Sequence, residues 1–371
     1  MKGVRSLPSL MIGDLDINPP IIQGGMGVRV SVAGLASAVS NEGCLGTVAT
    51  VGTGEEWPDD SLNYTTRSYL SLRAELQKTR SLTAHPFAVN IMCVLNNYDS
   101  LVKAAVEENV AAIISGAGLP LKLPSLVGNA RIKLIPIVSS GRAADVIART
   151  WARRYSRAPD AFVVEGPLAG GHLGFKLEDA LHPDTSVLDK AVKEVLQIAA
   201  EVGETAGRKI PVVAAGGVFD GRDIAHFLQL GASGVQMATR FVCTHECDAS
   251  LEYKQAYVNA SKEDIMLIKS PVGLPLRVIR NKFVDRITSG ERVEFRCQYQ
   301  CLATCDPKTT KYCIAQALLN SYHGNMAIGF TTCGANAYRI NKIVSVHELV
   351  QELVHDAAKS LSEIPSGAGL A

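Results

Sequence analysis

IPVVAAGGVFDGRDIAHFLQLGASGVQMATRF, residues Ile210–Phe241, reads as strand, glycine turn, helix and strand in immediate succession. IPVVAAGG is continuously apolar, the pattern of a parallel strand covered on both faces. GRDIAHFLQLGA then spaces its apolar residues as a helix does, and GVQMATRF returns to the strand pattern. Six more apolar runs precede this unit: PPIIQGGM (Pro19–Met26), CLGTVAT (Cys44–Thr50), PFAVNIM (Pro86–Met92), VAAIISG (Val110–Gly116), KLIPIVSS (Lys133–Ser140) and DAFVVEG (Asp160–Gly166). Amphipathic stretches such as SVAGLASAVSNEG, DSLVKAAVEEN and AADVIARTWARRY separate them. Eight strands alternating with helices predict an α/β fold, a (β/α)8 TIM barrel, in preference to an open doubly wound sheet.

Two stretches break the rhythm. Pro167–Lys209 is too long for an ordinary βα loop and includes a helical pattern over Val187–Val202; connections of that length are often functional. From Thr244 onward the pattern is mostly helical (Asp248–Ala260, Ile314–Ser321, Val346–Leu361), with no second strand series. The expected organisation is a barrel over residues 1–243 and a helical C-terminal extension over 244–371, packed on it.

Composition narrows the function classes. The chain has 371 residues, 47% apolar, and a formal charge of +1. That is enough chain for a large core, and it offers no electrostatic reason to expect nucleic acid or an anionic membrane as partner. No apolar stretch is long enough to span a bilayer. The nine cysteines are unevenly spread, which favours a reducing cytoplasm over a secreted disulfide framework. A cytoplasmic protein with a small-molecule ligand is expected, and a homo-oligomer is left open.

Barrel chemistry sits at the C-terminal strand ends. After the sixth strand, VVEGPLAGGHLG (Val163–Gly174) leads from Glu165 into Gly170, Gly171 and His172. Glycines let a flat ligand lie against backbone, and an imidazole beside it can accept or donate a proton near neutrality. Gly216 and Gly217 end the seventh strand; Gln236, Met237, Ala238 and Thr239 end the eighth. Loops at these two ends commonly hold phosphate through backbone N–H groups. Gly25 and Met26 end the first strand, Asn90 the third, Ser115 and Gly116 the fourth, and Ser139 and Ser140 the fifth. A phosphate seat, an amide row and a glycine floor suit a mononucleotide. The dinucleotide fingerprint is missing after the first strand.

QGGMG, FAVNIM, AGGHLG, AAGGVFDG and VQMATRF together resemble the nitronate monooxygenase family, which also holds the flavin-dependent enoyl-acyl carrier protein reductases. The resemblance runs from about Pro19 to about Phe283 and includes SPVGLPLRVIRNKF. It implies an FMN-binding barrel, with flavin contacts at Gly25, Met26 and Asn90, a phosphate seat at Gly216, Gly217, Ala238 and Thr239, and a catalytic role for His172. Two features depart from the family pattern. Ala238 replaces a frequent glycine, and QGGM is nearer the reductase pattern than the proline-containing turn of the nitronate oxidases.

Two chemistries fit one site. In the leading, oxidative reading a nitronate lies on the flavin; His172 holds its nitro oxygen, or removes an α proton from the neutral nitroalkane, and a carbonyl product and nitrite result. In the reductive reading NAD(P)H is the electron source, an enoyl thioester is reduced, and His172 hydrogen-bonds the thioester carbonyl. A non-catalytic phosphometabolite-binding barrel is the alternative of another class.

RCQYQCLATCDPKTTKYC places Cys297, Cys301, Cys305 and Cys313 close together, the first three at helical spacing until Pro307. They read either as ligands of an iron–sulfur cluster, less readily of zinc, or as core thiols. Arg240 and Arg277 read as contacts to an anionic substrate or as partners of surface carboxylates. Glu165 either orients His172 or makes structural hydrogen bonds.

Overall fold

The computed structural model describes residues 7–181, 186–297 and 299–363. It opens on a hairpin, β1 (Leu10–Ile12) and β2 (Leu15–Ile17), turned at Gly13–Asp14. The parallel strands follow: β3 (Ile21–Gln23), β4 (Gly46–Ala49), β5 (Phe87–Met92), β6 (Ala112–Gly116), β7 (Lys133–Val138), β8 (Phe162–Glu165) and, after a two-residue β9 (Gly171–His172), β10 (Val212–Ala215) and β11 (Gly234–Met237). These eight form one sheet, and the bridge from Ile22 to Leu45 closes it between β3 and β4. Each strand lies inside one of the apolar runs quoted above. The barrel is as expected.

Alternation along each strand divides the core in two. Ile22, Ala88, Ile114, Ile135, Val163 and Val213 point into the barrel, where Leu10, Ile12, Leu15 and Ile17 of the hairpin join them. The hairpin therefore plugs the end where the strands begin. Ile21, Val89, Ile113, Leu134, Val164 and Val212 point outward into the helical layer. Burying one such aliphatic side chain contributes about 1.5–3 kcal/mol.

Around the barrel run α1 (Ala33–Asn41), α2 (Tyr64–Leu82), α3 (Tyr98–Glu107), α4 (Leu123–Val127), α5 (Gly141–Tyr155), α6 (Leu177–Leu181), α7 (Ser186–Ala206), α8 (Gly221–Gln229) and α9 (Thr239–Val242). Ser140, expected at the fifth strand end as a site residue, instead caps α5 by accepting from the Ala143 N–H. Asp220 and Asp223 form a capping box that starts α8 directly after the glycine turn.

The extension contains α10 (Leu251–Val258), a hairpin β12 (Ile265–Lys269) and β13 (Pro275–Ile279), then α11 (Lys282–Thr288), α12 (Ile314–Tyr322) and α13 (Val346–Ser362). The helical regions match the expectation. The hairpin corrects it, and its signal was present: two β-rich runs flank a turn at Gly273. Both parts share one continuous hydrophobic core, from Leu7 to Ala358.

The expected cysteine helix is absent. Residues 299–305 run as an irregular strap with a turn at Ala303–Thr304, and the loop after β5 engages its backbone: Asn96 N–H donates to the Cys301 carbonyl at 3.1 Å and Ala303 N–H to that of Val94 at 3.0 Å. Long-range pairing overrides the local helical spacing.

Candidate active site

At the strand ends the inward positions turn polar. Asn90 lies two residues beyond the inward Ala88, and Glu165 two beyond Val163. Glu165, Ala215 and Gln236 share one register row. Above them opens a cavity of about 640 Å³. Gly25, Met26, Asn90, Glu165, Gly170, Gly171, His172, Gly216, Gly217, Gln236, Met237, Ala238 and Thr239 all line it. Residues spread over most of the barrel sequence thus meet at one rim.

Close approach dictates the glycines. A methyl at Gly25 would lie 2.8 Å from Asn90 Cγ and overlap Asn90 Cβ, so only glycine lets the first loop pass that amide. Gly216 and Gly217 have φ of +83° and +113°, a region that side chains disfavour. Asn336 of the extension donates Nδ2 to the Gly217 carbonyl at 2.8 Å, and Thr239 Oγ1 accepts from the Gly334 N–H at 3.0 Å. Behind this turn the Phe219 ring lies between two guanidiniums, Arg339 at 4.2 Å and Arg240 at 4.8 Å from its centroid.

His172 is held by its backbone. β9 pairs antiparallel with β13, setting His172 opposite Leu276 and Gly171 opposite Arg277. Arg277 is 3% exposed, and neither expectation for it holds. Its Nη1 donates to the carbonyls of Pro167, at 3.0 Å, and Ala169, and its Nη2 to that of Ala180 at 3.3 Å. A buried cation thus pins both ends of the His172 turn. Arg240 pairs with Glu352 at 2.8 Å, one of its two expected roles.

Burial drives the titratable groups toward neutrality. It lowers the His172 imidazole to about 4 and raises the Glu165 carboxyl to about 7. His172 Nε2 and Gln236 Oε1 are buried with no hydrogen-bond partner among the described residues. No hydrogen bond joins Glu165 to His172 among those described. Ser115 belongs to the helical side, with its hydroxyl on the Ile91 carbonyl and beside Tyr98 Oη.

The cysteine segment supplies no metal site: among the described residues no group of three or more His, Cys, Asp or Glu is arranged to hold an ion. Cys301 borders the cavity, and burial pushes its thiol up to about 12. The neutral thiol is a poor ligand. Cys313 stands at the start of α12.

Sequence reasoning missed the roof. Tyr253, Tyr257, Leu274, Leu276, Leu302, Ile314, Leu318, Cys333 and Asn336 of the extension line the cavity, as does Glu55 after β4. Only the fold brings them there.

The nitronate monooxygenase family model matches residues 8–99 and 94–356. The chain belongs to this family. It is 31% identical, over 75% of its own length and 68% of the other's, to a (3aS,4S,5R,7aS)-5-hydroxy-7a-methyl-1-oxo-octahydro-1H-indene-4-carboxyl-CoA dehydrogenase of Mycobacterium tuberculosis. It is 25% identical to a probable nitronate monooxygenase of Staphylococcus aureus, covering 91% and 97%. Among solved structures, FabK from Thermotoga maritima superposes with a TM-score of 0.72 at 29% identity, over 94% and 95% of the two chains. A nitroalkane oxidase from Streptomyces ansochromogenes shares the fold, with a TM-score of 0.71 at 21% identity and 93% and 97% coverage. An oxidoreductase is what this family membership supports.

Proposed function

We propose that the chain is an FMN-dependent oxidoreductase acting on a neutral, apolar substrate, with an enoyl thioester the best fit and His172 as the group that meets it. One observation carries this reading: no lysine or arginine among the described residues lines the cavity, and burial shifts the carboxyls and the imidazole there toward their uncharged forms. A substrate anion, unlike a phosphate held by backbone N–H groups at the glycine turn, would enter without a counter-charge beside it.

The residues fit FMN. The unpartnered Gln236 Oε1 and the Asn90 amide offer polar partners to a flat ring, while His172 Nε2 is left for the substrate. Gly25 lets the first loop pass close to the Asn90 amide, which a methyl there would overlap. Gly216, Gly217, Ala238 and Thr239 would hold the phosphate through backbone N–H groups. When bound, FMN supplies the redox chemistry, with NAD(P)H as electron source in the reductive direction.

The protein's own part is position and protons. A neutral imidazole can donate a hydrogen bond to a thioester carbonyl, which strengthens as negative charge develops on that oxygen. β13 and Arg277 fix where it stands. The aliphatic roof excludes water. Thioester chemistry is also in keeping with the carboxyl-CoA dehydrogenase named above.

Nitronate oxidation is the second reading, favoured by the family model and by the same neutral base. A neutral nitroalkane could lose its α proton to His172 in this lining. Anaerobic mixing separates the two. Fast bleaching of the flavin by NADPH, with reoxidation by a crotonyl thioester, supports the reductase; bleaching by propionate 3-nitronate alone supports the oxidase. A protein that binds no flavin would revive the non-catalytic barrel.

A further inference from the structure

Glu55 lines the same cavity as His172, from a strand end on the opposite arc of the barrel. It lies in the turn Thr53–Glu56 that follows β4, and β4 stands four strands from β8 in either direction around the closed barrel. The cavity it borders is also lined by Val51, Leu95, Leu302, Ile314 and Leu318. Among the described residues, Glu55 and Glu165 are the two carboxyls that line it. Tyr64 Oη donates to its Oε1 at 3.0 Å, while Oε2 is buried and has no partner among the described residues. The Tyr64 ring packs on Tyr299 of the strap, with centroids 5.4 Å apart, which fixes the donor and therefore the carboxyl.

We propose that Glu55 is a substrate-recognition residue whose Oε2 accepts a hydrogen bond from a hydroxyl on an otherwise apolar substrate. This rests on the reading of the cavity as the substrate site. A hydrocarbon filling this lobe would leave a buried acceptor bare, and sites that lack their donor discriminate far more strongly than sites that lack a methylene. The charges around Glu55 select a neutral donor over an ammonium. Arg29, from the loop after β3, and Arg67 of α2 both act on it, and a third cation would be repelled. The remaining titratable neighbours are Tyr64 on α2, and Cys301, Cys313 and Tyr299 of the extension. Burial raises the Glu55 carboxyl to about 7, so above that pH it acts as an acceptor only.

The substrate is thus gripped at two ends: a carbonyl at His172 and a hydroxyl across the barrel at Glu55. With Glu55 ionised, the arrangement selects an alicyclic or chain alcohol over its ketone or its parent hydrocarbon.

Menthol and menthone, alike in shape and different in one donor, test this by calorimetric titration of the FMN-loaded protein at about pH 8.5, where Glu55 is ionised. Menthol should bind at least about tenfold more tightly than menthone. Glu55→Gln, which keeps an acceptor oxygen, should retain much of that preference, and Glu55→Ala should lose it. Glu55→Met, of similar length, replaces the alanine variant should that one not fold. Equal binding of the two probes by the wild type, no binding of menthol, or a preference surviving in the alanine or methionine variant would each overturn the proposal. Calorimetry reads ligand binding whether or not flavin is present, so a failure to take up FMN would count against the functional reading alone.

Discussion

Asn336 donates to the Gly217 carbonyl across 119 residues of sequence, tying the C-terminal extension to the glycine turn that ends β10. The Arg339–Asp220 ion pair at 2.7 Å reinforces this tie at the start of α8. The extension is therefore built into the turn proposed to hold the phosphate. Asn336→Ala should weaken FMN binding about tenfold, the worth of one buried hydrogen bond and the loop order it maintains. Flavin fluorescence quenching gives the constant, and circular dichroism should remain that of the parent.

His172→Ala should keep the flavin and lose turnover by about a hundred- to ten-thousand-fold, the range of a positioned acid–base group. Steady-state rates normalised to bound flavin measure this. Unchanged rates at full flavin content would remove His172 from the chemistry.

Arg277→Met removes three hydrogen bonds to backbone carbonyls and leaves those carbonyls buried. A loss of about 3–5 kcal/mol of stability is expected, with a fall in turnover as the His172 turn loosens. Arg277→Lys should recover only part, because an ammonium cannot reach three carbonyls with the guanidinium's planar fork. Urea denaturation and rates at matched flavin content test both effects.

Glu165 gives a pH signature. Its carboxyl titrates at about 7 in the folded protein against an ordinary value of 4.5. Between those values the unfolded chain is ionised and the folded chain is not, so unfolding releases a proton and stability falls as pH rises through the window. Below 4.5 both states are protonated and the penalty vanishes. Glu165→Gln should thus be more stable than the parent at pH 8, by up to about 3 kcal/mol, with no such advantage at pH 4.5. Urea midpoints of the flavin-free proteins at the two pH values give the comparison. His172, lowered to about 4, has the opposite sign: its cost grows as pH falls from 6.5 towards 4.

The barrel was readable because its strands are continuous apolar runs, and parity along them follows from the period of two. Ala88 inside puts Asn90 inside; Val163 inside puts Glu165 inside. The rim residues followed from the rule that barrel loops at the strand ends carry function. What stayed hidden depends on distant partners. Cys297, Cys301 and Cys305 have helical spacing, yet Val94 and Asn96 take up the strap's backbone. Glu55 sits in a short turn after β4 with nothing local to mark it, and only the fold brings it to the cavity. Asn336 lies in a turn just before a three-residue 3-10 helix, with nothing local to mark it. Arg277 was visible as a charge, but its burial and its carbonyl partners come from β13 pairing with β9. The two β-hairpins were legible and passed over, since each is a pair of short strands around a glycine turn.

The central claim is that the strand ends form a seat for flavin mononucleotide, and titrating the flavin-free protein with FMN addresses it most directly. The wild type should take up one equivalent, with quenching of flavin fluorescence, and Gly25→Ala, whose methyl would overlap Asn90, should bind far more weakly. A wild type that leaves FMN free in solution, or a Gly25→Ala protein that binds it equally well, would contradict the account.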